Sequence, residues 1–266
     1  LINLDPILIV WFRLLIAAIL IFIFIFFLSK DSLKLSNSSL FNFFVGGLLI
    51  SIHWYLFFYS IKISSISLTL SILSTASLMT SFLEPIFYKR PFRIHELIFG
   101  LIAVVGLVLI FGIQSENYFA ILISLICTLL SVLFSLLNGF LIKNRSSSQI
   151  SFYEIIFGFF IISLIIFFSN IKFPILRSIS LSNWVYIFIL GSLCTAYAFV
   201  ASNYILKFIT PYTMMMSLNL EPVYGILFSL IIFGEKEYMD IQFYIGAGII
   251  FLGVIGNIVF KYKKIS

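Results

Sequence analysis

Long apolar segments, separated by short polar links, fill most of the chain. A helix needs about 20 mostly apolar residues to cross a bilayer, and nine segments reach that length. The nine predicted spans are 7–29, 42–61, 64–87, 96–113, 118–142, 152–170, 183–206, 211–233 and 242–260. No link is long enough for a soluble domain. The pattern therefore predicts an all-α, polytopic membrane helix bundle whose chemistry takes place within the lipid bilayer or at its surfaces.

Composition supports a membrane protein and argues against a soluble one. Of the 266 residues, 62% are hydrophobic and 10% are charged, which is too few charges to cover a soluble fold. The formal net charge is +6, but the basic residues are spread over short links, which favours orientation in a bilayer over nucleic-acid binding. Cys127 and Cys194 both lie in apolar segments without neighbouring ligand-type residues. We therefore expect two small buried side chains, no disulfide and no metal site.

Lysine and arginine are distributed unequally between alternate links. One set of links carries 11 positive charges and the other carries four. The richer set contains Lys30, Lys34, Lys89, Arg90, Arg93, Lys143, Arg145, Lys207, Lys261, Lys263 and Lys264. Because positively charged links stay in the cytoplasm, the C-terminus is predicted to be cytoplasmic and residue 1 to lie outside. A start outside, without methionine, suggests one further span upstream and a ten-helix protein; whether that helix is absent from the protein itself is open.

The chain resembles itself when it is shifted by 145 positions. The shift aligns Gly46 with Gly191, Tyr59 with Tyr204, Lys62 with Lys207, and Lys89 and Arg90 with Gly234 and Glu235. With the upstream helix restored, each half has five spans, and an odd number of spans makes equivalent helices run in opposite directions. Inverted repeats of this kind are typical of secondary transporters, whose substrate sites lie near the midplane between the halves.

The tripeptide Leu-Glu-Pro occurs at 83–85 and at 220–222, but the repeat does not relate the two copies. Under the same shift Glu84 aligns with Ser229, eight positions or about 12 Å along a helix from Glu221. We expect Glu84 near the cytoplasmic surface, in an exposed ion pair with the Lys89 and Arg90 that follow it.

Both halves carry segments that resemble the EamA-like branch of the drug/metabolite transporter superfamily. The second half contains "GSLCTAYAF", "SLNLEPVYG", "FGEKE" and a glycine-rich last span, "GAGIIFLGVIGNI"; the first contains "SFLEPIFYKRPF" and "GLIAVVGLVLI". The resemblance implies a ten-helix fold of two inverted five-helix repeats, here 1–113 without its first helix and 118–262. It also implies transport of a small metabolite, often an amino acid or related compound and frequently for export, across a bacterial cytoplasmic (inner) membrane. Lys89 and Arg90 stand where the family often has Gly-Glu.

Glu221 is the first candidate for binding or coupling. It lies near the middle of the 211–233 span, where an ionised carboxylate is costly unless it is paired, hydrated or protonated. It is predicted to bind a substrate ammonium group or a proton, or to hold helices together as a neutral carboxyl. Pro222 frees the carbonyl of Leu218 and predicts a kink. One helical face unites Glu221 with further candidates, namely Thr213, Ser217, Tyr224 and Gly225, whereas Asn219 points the other way.

Other candidates lie in the first half and in the 183–206 span. His53 titrates in a range that suits proton coupling, or it is a satisfied core histidine. Arg13 either extends to the outer surface or presents its guanidinium to a substrate carboxylate. The remaining candidates for the cavity wall are Trp54, Tyr55, Thr195, Tyr197, Ser202 and Asn203. Serine and threonine stripes at 67–81 and 124–138 are interpreted as helix packing through small residues, and His95 is placed in a loop.

Two other classes of protein are weighed against a transporter. An intramembrane enzyme would need a nucleophile with a positioned base or clustered carboxylates for a metal, and the sequence contains neither a Gly-x-Ser-x-Gly nor a His-Glu-x-x-His motif. A structural or channel-like bundle is less compatible with Glu221 and the inverted repeat. We predict no enzyme activity, no cofactor, and coupling to a proton or ion gradient rather than to ATP. The oligomeric state is open.

Overall fold

The structure of the chain is a computed structural model. It describes residues 4–29, 31, 33, 37–111, 117–169, 171, 179–221, 223–224 and 241–263. Within these ranges every regular element is helical, in agreement with the predicted all-α class.

Eleven α-helices and two π-helical segments are defined within the described ranges. The α-helices are α1 Pro6–Phe24, α2 Asn37–Ile63, α3 Ile66–Leu73, α4 Thr75–Tyr88, α5 Ile94–Phe111, α6 Tyr118–Leu141, α7 Ser147–Phe168, α8 Leu181–Gly191, α9 Ala198–Ile205, α10 Pro211–Leu218 and α11 Ile241–Lys263. The π-helical segment Ile25–Ser29 continues α1, and Ser192–Tyr197 joins α8 to α9.

Seven helical segments of the described chain are long and apolar enough to cross a membrane. They are Pro6–Ser29, Ser39–Ile63, Leu68–Tyr88, Tyr118–Leu141, Ser147–Phe168, Leu181–Ile205 and Ile241–Phe260. The predicted span 96–113 corresponds to a shorter apolar helix, Ile94–Ile110. The predicted span 211–233 begins with α10, and most of its second half lies outside the described residues. The ten-helix count therefore stays a prediction, whereas a polytopic helical membrane protein is established.

Several helix ends follow directly from the sequence. Asp5 caps α1 by accepting a hydrogen bond from the Ile7 N–H at 3.2 Å, and Pro6 occupies the first turn, where its missing N–H costs nothing. Thr210 and Pro211 begin α10 in the same way. At the end of α4, Lys89 adopts the left-handed conformation with φ of 53°. Glycine favours this conformation, so Lys89 is unusual among the described non-glycine residues in adopting it.

The helices form two compact units, each of which combines segments from both halves of the sequence. Unit 1 consists of Leu1–Tyr59 and Leu133–Ile209, and unit 2 of Ser60–Val132 and Thr210–Ser266. The helices α2 and α6 each contribute to both units. The units are groups of helices in contact and therefore have other boundaries than the predicted repeats. The repeats concern similarity in sequence and stay a prediction.

The core of unit 1 lies between α1 and α7. Leu14 and Ile21 of α1 are buried together with Ile155 and Ile162 of α7 in one cluster. Glycine allows α2 to pack closely against α7, because a Cβ on Gly47 would lie 2.7 Å from the Glu154 carbonyl oxygen. A bulkier residue there would separate the two helices.

The core of unit 2 contains the crossing of α5 and α11, the glycine-rich last helices of the two halves. A Cβ on Gly106 would lie 2.9 Å from the Gly246 carbonyl oxygen, and a Cβ on Gly246 would lie 2.5 Å from the Gly106 carbonyl oxygen. The two backbones are therefore in direct contact at these glycines. Leu107 and Ile250 are fully buried beside the crossing, in a cluster with Tyr212 and Met216 of α10.

Candidate functional site

Arg13 lies inside unit 1, although it belongs to a helix that crosses the membrane. It is about 10 Å along α1 from its first residue and is 8% exposed. Its Nε–H donates to Thr195 Oγ1 at 2.6 Å, and its Nη2 donates to the Cys194 carbonyl oxygen at 3.3 Å. Its Cζ lies 3.7 Å from the centroid of the Trp54 ring. The alternative in which Arg13 extends to the outer surface is therefore wrong. We call Arg13, Trp54 and Thr195 the Arg13 cluster.

The π-helical segment Ser192–Tyr197 positions Thr195 for this contact. The Thr195 hydroxyl donates to the Leu190 carbonyl oxygen at 2.6 Å and accepts from Arg13, so both its hydrogen-bonding functions are used. Such one-turn π-helices inside α-helices are frequent at functional sites. Gly191 permits the close approach of α1, because a Cβ there would lie 2.7 Å from Ile16 Cβ.

The Arg13 cluster contains a positive charge but no negative one. No carboxylate of the described residues lies within salt-bridge distance of Arg13, whose partners are a hydroxyl, a carbonyl and an aromatic face. A guanidinium keeps its charge in proteins and has five N–H donors in a planar fork that matches a carboxylate. The guanidinium is held in place by the two hydrogen bonds and by a cation–π contact worth about 2 kcal/mol when desolvated.

The structure places the other unit 1 candidates separately. Asn203 is buried and its Nδ2 donates to Ser151 Oγ at 2.9 Å, so it contacts α7. Tyr55 is half-buried and stacks on Tyr59, with ring centroids 5.9 Å apart. His53 is buried and faces the ring of Phe57. Tyr197 is 72% exposed and makes no part of the Arg13 cluster. Of the predicted unit 1 residues, Arg13, Trp54 and Thr195 are joined by a hydrogen bond and a cation–π contact.

Glu221 lies in unit 2, directly after a break in helix geometry. The α-helix α10 ends at Leu218, and the Leu220 N–H bonds to the Ser217 carbonyl oxygen at 3.1 Å, three residues back. The break therefore precedes Pro222, the predicted kink. Glu221 itself is exposed. Outside the described residues lie Pro222, Gly225, Gly234 and Glu235.

The two faces predicted for this segment have different environments. Ser217, Glu221 and Tyr224 are exposed, and Thr213 is half-buried. On the opposite side, Asn219 is buried, and its Nδ2 donates to Ser77 Oγ of α4 at 3.0 Å. Among the described residues the predicted polar face is therefore the more exposed one, and Asn219 connects the break to α4 by a hydrogen bond.

Glu154, which the sequence interpretation did not select, is the most deeply buried acid of unit 1. Its side chain is 0% exposed, and Asn138 Nδ2 donates to its Oε2 at 3.2 Å. Oε1 has no hydrogen-bond partner among the described residues. Gly46 of α2 packs against this carboxyl, since a Cβ there would lie 2.1 Å from Oε1. The sequence does contain a signal for Glu154, because it is an acidic residue in the predicted apolar span 152–170. Such residues are functional by default.

Glu84 forms the predicted ion pair with Arg90, but the predicted exposure is wrong. Glu84 is 2% exposed, and its Oε1 accepts from Arg90 Nε at 3.0 Å. Its Oε2 accepts from the Tyr212 N–H at 2.7 Å, so the carboxylate also caps the first turn of α10. Arg90 contacts Glu96 as well. Burial disfavours the charged form of Arg90, but the hydrogen bond to Glu96 and the charge of Glu84 outweigh it and raise its pKa.

Three smaller expectations are also resolved. His95 belongs to α5 rather than to a loop, and its buried ring lies 4.4 Å from that of Phe260. Cys127 is buried as expected, but Cys194 is exposed. The serine stripes do connect helices, since Ser124 Oγ lies 2.6 Å from Ser60 Oγ; the side chain of Ser67 is outside the described set. The described residues contain no group of three metal-ligating side chains.

These features define an α-helical protein of many membrane spans with ionisable side chains buried inside its helical units. The sequence model of the EamA-like transporter family matches residues 1–112 and 118–259. The chain therefore belongs to the EamA-like transporter family, within the drug/metabolite transporter superfamily. The family consists of membrane transporters rather than enzymes.

Comparison with solved structures supports the fold. A structure described only as a crystal structure of a protein matches with a TM-score of 0.79 at 13% sequence identity. The match covers 99% of this chain and 91% of that one. At this identity the likeness concerns the fold alone. No curated protein matches the sequence.

Proposed function

We propose that this chain is a secondary transporter of a small metabolite that carries a carboxylate, such as an amino acid or a related compound. Family membership supports the transporter class. Movement of the substrate takes place by alternating access between two inverted repeats, as an exporter or exchanger, in a bacterial cytoplasmic membrane with the C-terminus inside.

The Arg13 cluster is the observation that carries this substrate class. Its guanidinium is buried with neutral partners only, and the described residues supply no carboxylate within salt-bridge distance. A bound carboxylate would supply the missing negative charge and form charge-assisted hydrogen bonds, which are roughly twice as strong as neutral ones. Tyr197 is exposed and lies on the same π-helical segment as Thr195. We propose that the substrate reaches Arg13 from the side of the segment on which Tyr197 lies.

Coupling to a proton or ion gradient is proposed to involve Glu221. It is the acid on the uncovered polar face after α10, where it can exchange a proton or meet an ammonium group. The backbone hydrogen bonding is irregular at Asn219 and Leu220, directly before it. Transporter sites are commonly formed by broken helices of this kind.

Flux measurements in proteoliposomes test the proposal. The protein is reconstituted and assayed with labelled amino acids, organic acids and amines, with and without a pH gradient. We expect uptake of at least one carboxylate that falls about tenfold or more in Arg13→Gln, because truncating one partner of a buried charge pair costs about 2–5 kcal/mol. Glu221→Gln is expected to keep exchange but lose the response to the gradient. Lys62→Gln, which changes an exposed basic residue of unit 2, is the control and should transport normally.

Two outcomes would contradict the proposal. Absence of flux for every compound would favour an intramembrane enzyme or a structural bundle. Full activity of Arg13→Gln toward a carboxylate substrate would remove Arg13 from recognition.

A further inference from the structure

Unit 1 contains a cavity of about 960 Å³ where α6 and α9 end and α7 begins. Three of the residues that line it are basic: Lys143, Arg145 and Lys207. One is acidic, Asp31, whose Oδ2 accepts a hydrogen bond from Ser148. Among the residues that line the cavity, three are thus cationic and one is anionic.

The surrounding structure adds a helix N-terminus to the cavity and gives two of the basic side chains further contacts. Ser146 and Gln149, in the N-cap and first turn of α7, also line the cavity, so the positive end of a 22-residue helix faces it. Arg145 Nη2 donates to Ser39 Oγ, which restricts the movement of its guanidinium. The Lys207 ammonium lies 5.2 Å from the centroid of the Tyr204 ring.

A second, apolar cleft of about 270 Å³ adjoins this cavity, and Asp31 lines both. The other residues of the cleft are Phe22, Ile25, Phe26 and Leu33. Phe26 is 65% exposed and stacks on Phe22. A charged cavity joined to an apolar cleft matches a molecule with an anionic head and a hydrocarbon chain.

We propose that the cavity binds the phosphate group of an anionic membrane lipid, with an acyl chain against Phe22 and Phe26. Basic pockets between helices bind lipid head groups in this way on the cytoplasmic side, and the charge distribution of the links predicts that Lys143, Arg145 and Lys207 lie on that side. A lipid head group and free phosphate would both present a phosphate group to the cavity. The apolar cleft favours a lipid over free phosphate. This site does not depend on the substrate proposed for the Arg13 cluster.

The test compares lipid retention by wild type and variants in nanodiscs of phosphatidylcholine and phosphatidylglycerol, read by native mass spectrometry. Wild type should retain phosphatidylglycerol in preference to phosphatidylcholine. Lys207→Gln should weaken retention about fivefold, and the triple variant Lys143→Gln, Arg145→Gln, Lys207→Gln should abolish it, since each basic side chain contributes about 1 kcal/mol. Lys62→Gln is the charge-matched control and should retain the lipid.

A parallel arm titrates the detergent-solubilised protein with inorganic phosphate at constant ionic strength. Equal retention of phosphatidylglycerol by wild type and Lys207→Gln would overturn the proposal, as would binding of free phosphate without lipid preference. Lys143 and Lys207 also follow helix ends, where cations stabilise the helix dipole. A loss of thermal stability in Lys207→Gln without a change in lipid retention would therefore assign a structural role only and overturn the site. If the triple variant does not fold, Lys207→Gln alone decides.

Discussion

Arg13 and Glu154 are buried in unit 1, and neither lies within salt-bridge distance of an opposite charge in the described part of the chain. Burying an ionisable side chain without an opposite charge is costly, and such residues inside membrane spans are functional by default. Arg13 was selected from the sequence because it interrupts an apolar segment, but only the structure shows that its partners are Trp54 and Thr195, from distant segments. Glu154 also lies in an apolar segment of the sequence, near the start of the predicted span 152–170, but no proline or other motif beside it distinguishes it.

Gly46 and Glu154 provide a stability test at the residue scale. Gly46→Ala places a methyl group onto the carboxyl and is expected to lower the free energy of unfolding by about 1–3 kcal/mol, as overpacking does. Combining it with Glu154→Ala, which removes the obstructing atoms, should recover at least about 1 kcal/mol of that loss. Unfolding in detergent, followed by circular dichroism, measures both. Strictly additive effects would show that the two residues are not in contact.

At the scale of elements, regular helices were predictable and their irregularities were not. In lipid every backbone group must be satisfied internally, so apolar length alone predicts a helix. The π-helical segment Ser192–Tyr197 coincides with the contact between Thr195 and Arg13, which local sequence does not encode. A break in helix geometry lies at Asn219, which bonds to Ser77 of another helix, and the kink predicted at Pro222 lies outside the described residues.

The crossing of α5 and α11 supplies a second stability test with a control on the same helix. Gly246→Ala should destabilise the protein by about 1–3 kcal/mol, because the added Cβ would lie 2.5 Å from the Gly106 carbonyl oxygen. At Gly248, in contrast, a Cβ would have nothing within 4 Å. Gly248→Ala should therefore be neutral or stabilising by up to about 1 kcal/mol, since alanine favours helix. The thermal unfolding of the two variants is measured in the same detergent. Equal destabilisation of both would contradict a close contact between Gly106 and Gly246.

At the scale of the whole molecule, the sequence allowed the class and most membrane spans to be predicted, but not the grouping of the helices. Seven of the predicted spans correspond to long apolar helices of the described chain. The two repeats, which stay a prediction, are consecutive in sequence, and each compact unit takes segments from both halves of the chain. Hydropathy records which segments enter lipid; which helices pack together depends on contacts such as those at Gly106 and Gly246, far apart in sequence.

Discrimination between a carboxylate and its uncharged carboxamide tests the central claim most directly. Once a transported amino acid is identified, its flux and that of the corresponding carboxamide are compared in proteoliposomes containing wild type, Arg13→Lys or Arg13→Gln. Wild type should prefer the carboxylate by about tenfold or more, because a charged, bidentate contact is lost with the amide. The preference should weaken in Arg13→Lys and disappear in Arg13→Gln. An undiminished preference in Arg13→Gln would contradict recognition of the substrate by the Arg13 cluster.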